Sequence, residues 1–326
     1  MYYPLYAIIK SRIMKLKHQN ILKVIILILI IGFISCKQSS TKTIIENYED
    51  DGIHSIVINS EKLHYITKGN GEPVIFIHGT ISDYRTWEKQ IDTFSTKYKA
   101  IAYSRRYAFP NKQIFDETND YSPKIHSEDL SELINSFEFD KVNLIGHSYG
   151  AYTALLTTMK NPNKVKSLVL GEPPALPLLK NSKIGDSLYN DIITKALEPA
   201  NEAFNKGDES KGVAAFIGGV MGDSTLFYKV PPENRKPWLD NTLELRGSAL
   251  HQEFTKIDTV ELKKLNVPVL LLKGEFSPPA LTLIVDILHR YLPNSKVYTM
   301  SNSSHGLQSE NPGDFNKEVL EFLSNN

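Results

Sequence analysis

Between residues 73 and 301 the chain carries six short apolar runs: PVIFIH (73–78), KAIAYS (99–104), KVNLIG (141–146), VKSLVLG (165–171), VPVLLLKG (267–274) and KVYTMS (296–301). Nothing else in the sequence constrains the fold as strongly. A strand with one wet face alternates apolar and polar residues. Near-continuous apolar runs suit strands covered on both faces, as in a mostly parallel sheet with helices above and below. The intervals contain helical segments, one of them well marked. Ser122 stands at a cap position, Pro123 begins the turn, and Ile125, Leu130, Leu133 and Ile134 recur along KIHSEDLSELINSF. Ahead of the first run, IHSIVIN and KLHYIT flank Asn59-Ser60-Glu61 and read as a β-hairpin. The expected class is α/β, a doubly wound and mostly parallel sheet.

One interval is too long for a single crossover. From Pro173 to Asn266 no convincing strand occurs, while GDSLYNDIITKALEPANEAF and NRKPWLDNTLELRGSALHQEF look helical. Clusters of Pro and Gly (PPAL, GGVMG, VPPENRKP) separate them. A structureless loop of that length would be anomalous, so residues 173–266 are expected to form an inserted helical cap. The core is then 51–172 together with 267–326. Phe216, Met221, Phe227 and Trp238 are candidate linings of a pocket beneath the cap.

The N-terminus reads as an export signal. Lys15, Lys17 and Lys23 precede an apolar run from Val24 to Ile34 that is too short for a spanning helix and suits a signal-peptide core. Ile34-Ser35-Cys36 resembles a bacterial lipobox, with Phe33 in place of the usual Leu, and makes Cys36 the expected lipid attachment site. Residues 1–36 are thus expected to be removed up to Cys36, with 37–50 as a polar tether and Met14 as the more natural start. The expected location is outside the cytoplasm, on the periplasmic or cell-surface side of a bacterial membrane.

Lys plus Arg and Asp plus Glu number 37 each, so charge gives no reason to expect a nucleic-acid partner. The lone cysteine rules out an internal disulfide. No Gly-Lys phosphate-binding signature or zinc-type spacing occurs, and no cofactor, metal or obligate protein partner is implied.

The chemistry centres on Gly146-His147-Ser148-Tyr149-Gly150, a G-x-S-x-G between a strand and a helix. A tight turn there holds the serine in a strained conformation, and bulk on its neighbours would block it. The hydroxyl then stands above the strand ends, with the free N–H groups of a helix behind it. Serine is a poor nucleophile until a base takes its proton. Of nine histidines, His305 lies in the loop after the last strand run, MSNSSHGLQSENP, and is the candidate base. His147 reads as packing, and His78 as a brace for its loop. In this layout the amides of Thr80 and Tyr149 hold the oxyanion.

From about residue 50 onward the chain resembles the α/β-hydrolase superfamily, in its lid-bearing, esterase-like members. VIFIHGTISDYRTWEKQI, IAYSRRY, NLIGHSYGAYTALL, LVLGEPP, VPVLLLKGEFSPP and SSHGLQSENP match its blocks in order. The resemblance implies an orienting acid as Gly-x-x-Asp after VPVLLLKG, where this chain has Gly274-Glu275-Phe276-Ser277. Ser277 cannot carry the charge and reads as a helix cap. Glu172, after the strand that follows the elbow, is the favoured acid, and Glu275 is the alternative. Arg105 and Arg106 replace part of the family's Asp-x-Arg-Gly and read as loop braces. The implied activity is hydrolysis of ester-like bonds in a small molecule through an acyl-enzyme. The alternatives are a cofactor-free C–C hydrolase or lyase on the same triad, or a binding receptor that retains the fold. Dehalogenase and epoxide hydrolase chemistry would require a carboxylate in place of Ser148.

Overall fold

The computed structural model describes residues 45–47, 52–111 and 113–326; the expected signal, Cys36 and most of the tether lie outside the described residues. Among the described residues nine strands form one sheet in the order β1-β2-β3-β5-β4-β6-β7-β8-β9. They are β1 (Ile45–Asn47), β2 (Ile53–Ile58), β3 (Glu61–Lys68), β4 (Pro73–Ile77), β5 (Lys99–Tyr103), β6 (Val142–His147), β7 (Val165–Gly171), β8 (Val269–Gly274) and β9 (Ser295–Met300). The expected tether is therefore not tether throughout. Ile45–Asn47 pairs antiparallel with β2, whose outer edge would otherwise offer unpaired backbone.

β2 and β3 form the expected hairpin, with Asn59 and Ser60 both at positive φ (49° and 68°), the geometry of a two-residue turn that follows sheet twist. From β5 through β4 to β9 every pairing is parallel. Each parallel strand feeds alternate residues to opposite faces. Ile75, Ile77, Leu144, Leu168, Leu170, Val269 and Leu271 pack into one core. Val74, Phe76, Ile145, Val169, Leu270 and Leu272 pack into the other. The first core is closed by helices Pro123–Ser136, Tyr149–Lys160 and Pro279–Tyr291, the second by Glu88–Phe94 and Pro312–Ser324. Burial on both faces is why the runs are apolar without alternation.

Between β7 and β8 the described residues are helical and carry a small core of their own, built on Leu197, Phe204, Val213, Phe227 and Leu245. Two of the expected separators differ from expectation. GGVMG is not a separator but the end of helix Glu209–Met221, closed by left-handed Gly222 (φ 75°). Gly218 and Gly219 serve contact. A Cβ on Gly219 would fall 2.2 Å from the Lys195 carbonyl, and one on Gly218 2.7 Å from Ser224 Cα. Helix Pro232–Leu239 likewise forms inside VPPENRKP, with Pro237 in its interior. Ser122 sits at its expected cap position without making the side-chain bond. Ser277 is not the cap of the helix that follows; Pro278 is, and Ser277 Oγ accepts from Gly274 N–H at 3.2 Å.

Candidate active site

Ser148 occupies the sharp turn from β6 into helix Tyr149–Lys160, at φ 51° and ψ −125°. A non-glycine residue in that region is strained, and it persists because its surroundings over-determine it. Ser148 N–H donates to the Gly171 carbonyl at 2.7 Å, tying the turn to β7, and its carbonyl accepts from Tyr152 N–H at 3.1 Å. Gly146 and Gly150 do not adopt positive φ. They are needed for clearance: a Cβ on Gly146 would lie 2.5 Å from Ala151 Cα, and one on Gly150 2.2 Å from the Ile77 carbonyl. A Cβ on Gly79 would lie 3.1 Å from Ser148 Cβ, so the loop after β4 rests directly against the serine.

Glu172 follows β7, also at positive φ (48°), and is wholly buried. Its N–H donates to the Leu272 carbonyl at 3.2 Å, and its Oε1 accepts from Gly274 N–H at 2.9 Å. The remaining oxygen, Oε2, lies 2.6 Å from His305 Nδ1. The carboxylate oxygen accepts, so Nδ1 carries the proton of this bond and Nε2 is the ring nitrogen left for the serine. Glu275 does not reach the ring: its Oε2 accepts from Asn302 N–H at 2.9 Å on the exposed side of the loop. Ser148 and His305 line the same cavity. In substrate-free enzymes the contact between such a hydroxyl and its base is commonly long and tightens when substrate is bound.

His147 does more than pack. Its Nε2 donates to the main-chain carbonyl of His305 at 2.7 Å, and the two rings lie 4.7 Å apart. Burial, with His305 adding to it, pushes the His147 pKa down to about 3, so the ring is neutral and its single proton goes to that carbonyl. Residue order gave no signal for this bond, which spans 158 positions.

Thr80 and Tyr149 both line the cavity beside Ser148. Tyr149 is the first residue of its helix, where an N–H has no acceptor within the helix. His78 braces the loop as expected: Nδ1 lies 2.8 Å from the Gly79 carbonyl and Nε2 accepts from Arg105 N–H at 2.9 Å. Arg105 and Arg106 are buried braces as well, paired with Glu244 and Asp129 respectively.

The cavity measures about 470 Å³ and lies between the strand ends and the cap. Phe216, Met221 and Trp238 line it. Phe227 does not: it is 2% exposed and fills the cap's own core. Glu310 is the one Asp, Glu, Lys or Arg among the described lining residues, and it is already engaged by Ser304 N–H and Oγ at 2.5 and 2.6 Å. Among the described residues no cluster of His, Cys, Asp or Glu is arranged to hold a metal.

A family model described as alpha/beta hydrolase fold matches residues 72–312. A probable alcohol acetyltransferase of Wickerhamomyces anomalus is 23% identical over 290 residues, covering 81% of this chain and 82% of its own. An uncharacterized carboxylesterase (nap) of Bacillus subtilis is 24% identical, covering 80% of this chain and 83% of its own. Among solved structures, a thermophilic esterase from Thermogutta terrifontis superposes with a TM-score of 0.65 at 20% identity, covering 83% of this chain and 97% of that one.

Proposed function

This chain belongs to the α/β-hydrolase family, and from that premise we propose that it is a serine hydrolase of uncharged esters with an apolar acyl part, working through an acyl-enzyme. The observation that carries the reading is the meeting of three strand ends. Ser148 after β6 and His305 after β9 line one cavity, and Glu172 after β7 lies buried behind it, 2.6 Å from His305 Nδ1. In this reading His305 Nε2 takes the proton of Ser148 Oγ as the oxygen attacks the ester carbonyl. The buried Glu172 carboxylate stabilises the imidazolium and fixes its orientation. The amides of Thr80 and Tyr149 hold the charge on the substrate oxygen. The protonated His305 then gives its proton to the leaving alcohol, and water repeats the sequence to release the acid.

The lining supports the substrate class. The cap wall is apolar, and among the described lining residues there is no Lys or Arg to pair with a carboxylate on the substrate. Hydrolysis of p-nitrophenyl esters of increasing chain length tests this: kcat/KM should rise with acyl length and collapse for dicarboxylic half-esters. A preference for the charged half-esters would overturn the substrate class. The reaction named for the Wickerhamomyces relative suggests a second fate for the same intermediate, transfer to an alcohol, which the apolar cavity also favours. Added ethanol would then divert product from acid to ethyl ester.

The proposal extends to location. Cys36, following the basic and apolar N-terminal segment, is read as a lipid-bearing N-terminus that holds the enzyme at a membrane surface. Fatty-acid labelling should be lost in Cys36→Ala; retained labelling refutes the anchor.

A further inference from the structure

We infer that Arg105 is a positioning residue for the Thr80 oxyanion donor, and that the cap controls it by supplying its counter-ion, Glu244. The role rests on the serine-hydrolase reading above. Arg105 follows β5 and is 1% exposed. Its Nη2 donates to the Gly79 carbonyl at 2.9 Å and its Nε to the His78 carbonyl at 3.1 Å. Its own N–H donates to His78 Nε2, so the proton of that ring sits on Nδ1 and is directed to the same Gly79 carbonyl, 2.8 Å away. Two donors therefore hold one carbonyl.

The consequence follows from peptide geometry. In a trans peptide the C=O of one residue and the N–H of the next point in opposite directions. Pinning the Gly79 carbonyl on the Arg105 side turns the Thr80 N–H the other way, toward the cavity it shares with Ser148. Without the clamp the peptide is free to turn over, which would present a carbonyl where the oxyanion needs a donor.

The charge on Arg105 is balanced from the cap. Glu244, on helix Thr242–His251 and 4% exposed, bonds Arg105 through both oxygens, with Nη2 to Oε1 at 2.9 Å. Its Oε2 also lies 3.1 Å from His126 Nε2. Removing either partner leaves a buried charge unpaired, which is strongly destabilising, whereas removing both is tolerated far better. The cap thus closes the pocket and completes the electrostatics of the oxyanion loop.

The test compares Arg105→Lys, Glu244→Gln and the double variant Arg105→Met/Glu244→Met, each checked for folding by circular dichroism. Two ligands are used: a trifluoromethyl ketone, which forms a tetrahedral oxyanion on Ser148, and the alcohol of the same skeleton, which does not. In the folded double variant, where His78 Nδ1 alone still holds the Gly79 carbonyl, kcat should fall by up to about 100-fold, the size of losing one oxyanion donor, while KM stays within about threefold. Ketone affinity should fall in parallel with kcat and alcohol affinity should not. Arg105→Lys should recover part of the loss. A folded double variant with wild-type kcat, or equal losses for ketone and alcohol, overturns the role. A wild-type protein that cleaves no ester and binds the ketone no better than the alcohol brings down the hydrolase reading itself, a different result from either.

Discussion

At the scale of single residues, the acid is where geometry decides most. Pattern alone leaves Glu172 and Glu275 as rivals, because both follow a strand that ends on the same rim. In space they separate cleanly: Glu172 Oε2 lies 2.6 Å from the His305 ring, whereas Glu275 is spent on Asn302 N–H. Glu172→Gln is expected to lower kcat by roughly 10³- to 10⁴-fold, the size seen when an orienting acid becomes an amide. Glu275→Gln should leave kcat within about twofold of wild type. The reverse order would move the acid to the strand after the cap. His147→Phe keeps an aromatic ring but loses the proton given to the His305 carbonyl, so kcat should fall about tenfold with little change in KM; an unchanged kcat would return His147 to packing. Ser148 and His305 were legible because their signals are local: a glycine-flanked serine between strand and helix, and a histidine in a loop after the last strand. The partners of His147 and Arg105 were not, since they lie 158 and 139 positions away and no spacing rule connects them.

At the scale of elements, the six parallel strands were legible within about two residues because burial on both faces leaves unbroken apolar runs, whereas the short β1 was hidden in the expected tether. The cap helices were harder. Gly218 and Gly219 carry the local signature of a break, yet they lie inside a helix because its backbone touches Lys195 and Ser224. Close approach and turn formation select the same residue, and a one-dimensional pattern does not distinguish them. Two substitutions test that distinction. Gly150→Ala puts a methyl 2.2 Å from the Ile77 carbonyl in the rigid sheet and should cost about 3 kcal/mol in urea unfolding. Gly222→Ala meets no atom within 4 Å and is opposed only by its φ of 75°, so it should cost about 1 kcal/mol. Equal costs would mean that conformation rather than contact sets the glycines.

At the scale of the whole molecule, the buried histidines set a pH dependence of stability. Burial, with the Arg105 charge adding to it, holds His78 and His126 well below the ordinary 6.5. His126 is enclosed by Arg105, Arg106, Glu244, Tyr107 and Tyr149. Unfolding lets both rings take protons once the pH drops below about 6.5, whereas the folded protein keeps them neutral. Stability is therefore full above that pH and is lost as pH falls, by up to about 1.4 kcal/mol per pH unit for each ring. Glu244, which burial raises above its ordinary 4.5, works in the opposite direction and offsets part of that loss toward the acid end, so the histidine effect is read from pH 7 downward. The melting temperature should fall over that range, and less steeply in His126→Gln; a flat profile would contradict neutral burial. Catalysis rests on a different event, the activation of one hydroxyl by groups that three strand ends bring together. Its most direct measurement is the rate of covalent labelling by a fluorophosphonate, with the adduct located by peptide mass spectrometry. The account predicts one adduct on Ser148, with the rate reduced by orders of magnitude in His305→Ala and in Glu172→Gln. An unlabelled wild type, or an adduct whose rate ignores both substitutions, would contradict it.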